Sequence, residues 1–154
     1  MLDILKSYYF LLKVRELLNM ELWIDIGILL IRIVVGLAFI GHGAQKLFGL
    51  FGGHGLEGTG GFFESIGIKP GKTMALLAGG SEFVGGLLFL LGFLTPIASL
   101  LIIITMIVAI SKVHAANGFW AASNGYELNL LYIVTVLAVA FIGAGAYSLD
   151  AFIF

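Results

Sequence analysis

"IGILLIRIVVGLAFI" (residues 26–40) runs directly into "GHGAQKLFGLFGGHGLEG" (residues 41–58), and how that join is read decides the fold. Within the second stretch, Gly53-His54-Gly55-Leu56-Glu57-Gly58 matches GxGxxG letter for letter. That fingerprint cradles a phosphate only between a strand and a helix of a βαβ unit. Here it follows an apolar run with no strand-like alternation, so the match is formal. The stretch reads as the end of a membrane helix feeding a glycine-rich lid.

Composition supports that reading. The chain of 154 residues is 60% hydrophobic and 11% charged, against roughly 45–50% and 25% for a soluble domain. A crossing of the hydrocarbon takes about 20 mostly apolar residues. Four segments qualify, at about 23–41, 73–94, 96–115 and 128–146. Backbone groups in lipid must bond within their own segment, which selects helices over an open sheet. The expected fold is an all-α integral membrane four-helix bundle, residues 23–154 forming one domain. A Gly-rich cap loop joins helices 1 and 2, with a short helix in "GFFESIGI" (61–68). Pro96 falls in the first turn of the third span, where its missing N–H costs little.

Residues 1–22 carry Lys6, Lys13, Arg15 and Glu16 in an apolar background and lack the unbroken centre of a cleavable signal peptide. They read as an N-terminal interfacial amphipathic helix, with a helix that pairs with another subunit as the alternative. Four spans place both termini on one side of what is expected to be a prokaryotic plasma membrane. The basic residues beside the first span favour the cytoplasm. Net charge is −1, which argues against a nucleic-acid partner. The absence of cysteine excludes thiol relays and thiolate metal sites.

Two charges lie where charges are expensive. Arg32 sits in the middle of the first span and Glu82 in the middle of the second, at about 2.5–3.5 kcal/mol each on the gentlest scale. Counted from His42 and from Thr73 they lie at similar depth, roughly 13–15 Å below one surface. They are therefore expected to pair, as a site floor or as a pin between helices. The other polar residues gather at that same end: His42 and Lys46, Lys112 and His114, Glu127 and Asn129. Phe119, Trp120 and Tyr126 rim it. The expected site is a polar pocket with an aromatic collar. His42, His114 and Glu82 would handle protons, histidine being labile near neutral pH. Arg32, Lys46, Lys112, Trp120, Tyr126 and Glu127 would hold substrate. No metal site is expected. The bland reading of each residue alone is a snorkelling lysine or an interfacial aromatic.

Five stretches in order carry a family resemblance: "RIVVGLAFIGHGAQKLFG" (32–49), "EFVGGLLFLLGFLTPIAS" (82–99), "MIVAISKVHAANGFW" (106–120), "NGYELNLLYI" (124–133) and "GAGAYSLD" (143–150). The chain resembles the DoxX family of small four-helix membrane proteins over roughly residues 25–150. The resemblance implies a quinone- or redox-linked oxidoreductase role. Relatives include a subunit of a thiosulfate:quinone oxidoreductase and proteins of catechol and quinone stress. A quinone is the implied ligand, with haem between His42 and His114 ranked well below it. Nothing in the sequence carries electrons, so a redox partner subunit or bound cofactor is implied. Two other readings stand beside this one. The first is a module that binds or transports a small phenolic or anionic molecule, an oligomer being needed for a route across the membrane. The second is a structural or assembly subunit of a membrane complex.

Overall fold

The computed structural model describes residues 2–154, with side chains from residue 6 onward. Among the described residues every regular element is helical. They are α1 (Leu2–Phe48), α2 (Gly55–Ser65), α3 (Gly71–Leu91), α4 (Thr95–Ala109), α5 (Glu127–Ile142) and α6 (Leu149–Ile153). No proline or glycine interrupts the chain before Gly27, and α1 runs unbroken from the N-terminal segment into the first span. The segment 1–22, expected as a separate helix, is therefore continuous with that span over the described residues. Its side chains from residue 6 are almost all exposed.

The helices α1, α3 and α4 with its continuation to Asn117 are long and apolar enough to cross a membrane. Helix α5 is apolar but has 16 residues, about 24 Å. It stops at Ile142, short of the expected 146, because Gly143 takes a φ of 102° and turns the chain away. Helix α3 ends on Gly92, whose φ of 61° favours glycine and where a Cβ would lie 2.5 Å from the Arg32 guanidinium carbon. Pro96 stands in the first turn of α4, as its position in the sequence predicts. The tight turn between makes α3 and α4 antiparallel neighbours. That turn marks one end of the bundle, and α2 covers the other. Around the bundle α1 packs on α3, α3 on α4 and α4 on α5, while α5 meets α1 sparingly. Phe39, Phe89, Ile102 and Val136, all fully buried, form the centre of the core.

The lid differs in detail from the sequence reading. Its helix is α2, starting at Gly55 inside the GxGxxG-like stretch rather than at residue 61. Gly60 meets the backbone of Gly71 and Lys72, so that added Cβ atoms would not fit. The Lys72–Glu57 ion pair and a bond from Gly71 N–H to Glu64 Oε1 tie α2 further to the start of α3.

Glycines set the register of α1 against α3. A Cβ on Gly86 would lie 2.8 Å from Gly36 O, and one on Gly43 would lie 2.7 Å from Gly79 O. Gly36 thus faces Gly86 and Gly43 faces Gly79, so each step along α1 is one step back along α3. Arg32 comes level with Leu90, and Glu82 with Ile40. The two charges lie eight residues apart along α1, about 12 Å. Their expected pairing is overturned: the depth estimate assumed that the first span ends at residue 41 and the second starts at 73, which displaces one helix by about two turns.

Arg32 belongs to the turn end. Its Nε donates to Phe89 O (3.2 Å), Nη2 to Leu90 O (2.8 Å), and Nη1 to Ala144 O (2.8 Å) and Tyr147 O (2.9 Å). Phe89 and Leu90 close α3, where carbonyls lack intrahelical donors and the helix dipole is negative. Arg32 therefore caps α3 from outside and ties the C-terminal segment to it. Asp150 completes the clamp, accepting from Leu94 N–H, Thr95 N–H and the Thr95 hydroxyl at the start of α4. Burial pushes the Asp150 carboxyl up, but these three bonds and the nearby Arg32 outweigh it and hold it below the ordinary carboxylate range.

Candidate functional site

At the α2 end the helix pairs α1/α3 and α4/α5 part around a cavity of about 580 Å³. That size lies within the range of small-molecule pockets, about 300–1,000 Å³. Helix α1 contributes Phe39, His42 and Lys46; α3 contributes Ser81 and Glu82; α5 contributes Asn129 and Tyr132. Phe62 and Phe63 of α2 form the roof. On the side of α1 and α5, Phe39 packs edge-on against Tyr132, with centroids 5.1 Å apart, and closes that seam.

The buried carboxylate of Glu82 finds its partner in Lys46, Nζ to Oε2 2.6 Å. The pairing follows from sequence through packing. Gly79, one turn before Glu82, lets the Lys46 Cβ come within 3.0 Å of where its own Cβ would be. The lysine stem then lies along α3 and places its ammonium on the carboxylate. The Glu82 side chain is 4% exposed and that of Lys46 26%, so the pair has one end dry and one end near water.

Both cavity histidines are anchored through Nδ1. His114 Nδ1 lies 2.8 Å from Asn124 O. A carbonyl can only accept, so Nδ1 carries the proton and Nε2 is left for other partners. His42 is held by a relay. Gln45 Nε2 donates to Phe51 O (3.1 Å), which fixes the amide with its oxygen toward the His42 ring, 3.3 Å from Nδ1. The amide oxygen also only accepts, so His42 too has Nε2 left over. The tautomers follow from this assignment of partners.

His114 reaches the cavity by a local irregularity, whereas Lys112, four residues after Val108, shares its face in any α-helix. Ile110–His114 form a π-turn at the end of α4. At 100° per residue an unbroken α-helix would put His114 about 140° away from Ala109. The wide turn brings residues five apart onto one face, and both line the cavity. Such turns recur at functional sites. Periodicity cannot reveal this one, because "ISKVH" continues the apolar run like any last turn of a helix. Lys112 has no acidic partner among the described residues.

The cavity thus gathers His42, Lys46, Glu82, Lys112 and His114. Other residues expected there lie elsewhere. Arg32 is at the opposite end of the bundle. Glu127 Oε2 accepts from Ala121 N–H (2.9 Å) and braces the loop before α5. Tyr126 and Trp120 pack edge-on against Phe119, at 5.6 and 5.0 Å, and Trp120 is 67% exposed. These three shape the loop rather than line the chamber. Tyr132, Ser81 and the roof phenylalanines line it without having been expected there, since periodicity along one helix does not tell which neighbour a face meets. Among the described residues no group of three His, Asp or Glu could hold a metal ion.

The family model described as DoxX matches residues 27–115, more than half of the chain. A protein of Bacillus subtilis (strain 168) named "Putative oxidoreductase CatD" is 39% identical over 64 residues, which are 42% of this chain and 42% of that protein. The matched part therefore spans less than half the length of that relative. No solved structure matches.

Proposed function

The chain belongs to the DoxX family of integral membrane proteins, and from that premise we propose that it is a quinone- or redox-linked oxidoreductase component whose site is the cavity under α2. The observation that carries this reading is the pair of imidazoles anchored by Nδ1, with Nε2 uncommitted, in one apolar chamber with the Lys46–Glu82 pair. Reduction of a quinone to a hydroquinone takes two electrons and two protons. The ring oxygens need hydrogen-bond donors and the ring needs apolar walls. With Nδ1 holding the ring proton, His42 and His114 donate from Nε2 only as imidazolium. Each would take up a proton at Nε2 and pass it to a reduced ring oxygen, returning to the neutral Nδ1–H form. Lys112 supplies positive charge, and Phe39, Tyr132 and the α2 phenylalanines supply walls. Glu82 and Lys46 are the groups through which a proton would pass between the dry and wet ends. The electrons come from a partner subunit or a bound organic cofactor. The relative's name, an oxidoreductase, agrees with this assignment.

The location follows the same reading: a prokaryotic plasma membrane, with both termini on the side of the α3–α4 turn and that side cytoplasmic. A second reading, a module that binds or transports a phenolic or anionic molecule, draws on Lys112. Its charge is uncompensated among the described residues while Lys46 and Glu82 cancel.

The test is purification in mild detergent, extraction and chromatography of bound quinones, and titration with a soluble benzoquinone by intrinsic fluorescence. Quinone should co-purify, and His114→Ala or His42→Ala should weaken binding by about tenfold, roughly one lost hydrogen bond to a charged or polarised group. Absence of any quinone together with unchanged titrations in both variants would remove the redox reading. Uptake of a labelled phenolate into proteoliposomes would then favour the second.

A further inference from the structure

The cavity continues past its polar groups into the wall between α3 and α4. On α3, Leu77, Ala78 and Ser81 line it; on α4, Ile104, Thr105 and Val108 do. These are positions three and four apart, so each helix turns one face toward the other. Yet the two faces border space. The close contact of α3 with α4 lies nearer the turn, where a Cβ on Gly85 would be 3.2 Å from Leu101 Cβ and 3.4 Å from Ala98 O. From Ser81 and Thr105 toward α2 the cavity lies between the two helices. Leu77, Ile104 and Val108 line the cavity while being 57%, 50% and 43% exposed. The other lateral seam, between α1 and α5, is closed by the fully buried Phe39 against Tyr132.

We propose that the gap between α3 and α4 beneath α2 is a lateral portal to the bilayer, and that the ligand is an amphiphile whose hydrocarbon tail lies between Leu77 on one side and Ile104 and Val108 on the other. Its polar head occupies the region of His114, Lys112 and the Lys46–Glu82 pair. The head assignment rests on the quinone reading above; the tail assignment rests on the wall alone. Leu77 is six residues into α3, about 9 Å from its start, within the apolar part of the span. A water-soluble ligand would leave those side chains facing lipid with nothing to complete the wall. A tail drawn from the bilayer exchanges one apolar surrounding for another and keeps water away from the buried carboxylate. The tail also fixes which end of the ligand reaches the histidines.

The experiment compares a benzoquinone bearing a decyl chain with its methyl counterpart, bound to the protein in nanodiscs and corrected for partition into the lipid. The parent should favour the decyl form by about tenfold. Val108→Trp, which fills the gap, should abolish that preference and change the methyl form by no more than about twofold. Leu100→Trp, on the outer face of α4 and not lining the cavity, should leave the preference intact. Preservation of the tail preference in Val108→Trp, or an equal loss for both forms, overturns the portal while leaving the head site standing. Failure of the parent to bind either quinone instead removes the quinone reading. A headless alkyl diazirine then still decides the portal. Photolabelling concentrated on Leu77, Ile104 and Val108 supports it, and labelling spread evenly over the outer faces of α3 and α4 overturns it.

Discussion

Glu82 and Arg32 are buried charges on facing helices, and the bundle satisfies them by different chemistry. Glu82 has a single ionic partner in Lys46. Removing the lysine strands a carboxylate that is 4% exposed, whereas removing the carboxylate leaves a lysine with 26% of its side chain exposed and a flexible stem to carry its charge to water. Lys46→Met should therefore destabilise by about 3–5 kcal/mol, and Glu82→Gln by clearly less. Combining Lys46→Met with Glu82→Leu should restore much of the loss. Equilibrium unfolding in mixed detergent micelles measures all three, and equal costs for the two single variants would contradict the asymmetry. Arg32 instead satisfies four carbonyls with its planar fork. Arg32→Leu should cost at least about 3 kcal/mol, because each carbonyl left unpaired costs roughly 1–3 kcal/mol. Arg32→Lys should recover little, one ammonium being unable to reach four oxygens. Neither Arg32 variant should alter quinone affinity in protein that remains folded, since the guanidinium stands at the far end from the cavity.

At the scale of the element, the glycines of α3 have different tasks that composition does not separate. A Cβ on Gly86 would lie 2.7 Å from Ile40 N and 2.8 Å from Gly36 O, both backbone atoms that cannot move aside, whereas around Gly80 nothing lies within 4 Å. Gly86→Val should part α1 from α3 and lower the unfolding midpoint sharply. Gly80→Ala should be neutral or slightly stabilising, by up to about 1 kcal/mol from helix propensity. The same unfolding measurement compares them, and a tolerated Gly86→Val would refute the glycine-set register. The sequence shows that the second span, α3, is rich in small residues and suited to close approach. Which glycine faces which is absent from it, and the misplaced Arg32–Glu82 pair is the consequence. The π-turn at Ile110–His114 was hidden for a related reason. A one-residue widening of a turn leaves the hydrophobic pattern of so short a segment unchanged.

For the whole molecule, the C-terminal segment acts as a buckle across the turn end. Arg32 holds Ala144 and Tyr147, Asp25 accepts from Ala146 N–H (2.9 Å), and Asp150 caps the start of α4. Because the Asp150 carboxyl is held below its ordinary range, it is the charged form that stabilises the fold. Its contribution is complete above the unfolded value of about 3.9 and is lost as pH falls through the lower folded value. Asp150→Ala should therefore be less stable than the parent near neutrality, and the difference should shrink below about pH 4; a difference that stays constant into acid would show that the carboxylate charge plays no part. The amino-acid sequence by itself determined that the chain is an all-helical membrane protein of the DoxX family with a covered polar end. Hydrophobic run lengths, breakers and ordered motifs are local properties, and the free energy of placing each residue in lipid can be summed along one helix. The tertiary structure alone decided that Glu82 pairs with Lys46 and that Arg32 caps α3 at the other end. These depend on the sliding of one helix along another, which is set by backbone contacts at Gly36, Gly43, Gly79 and Gly86 and leaves no trace in the periodicity of either helix.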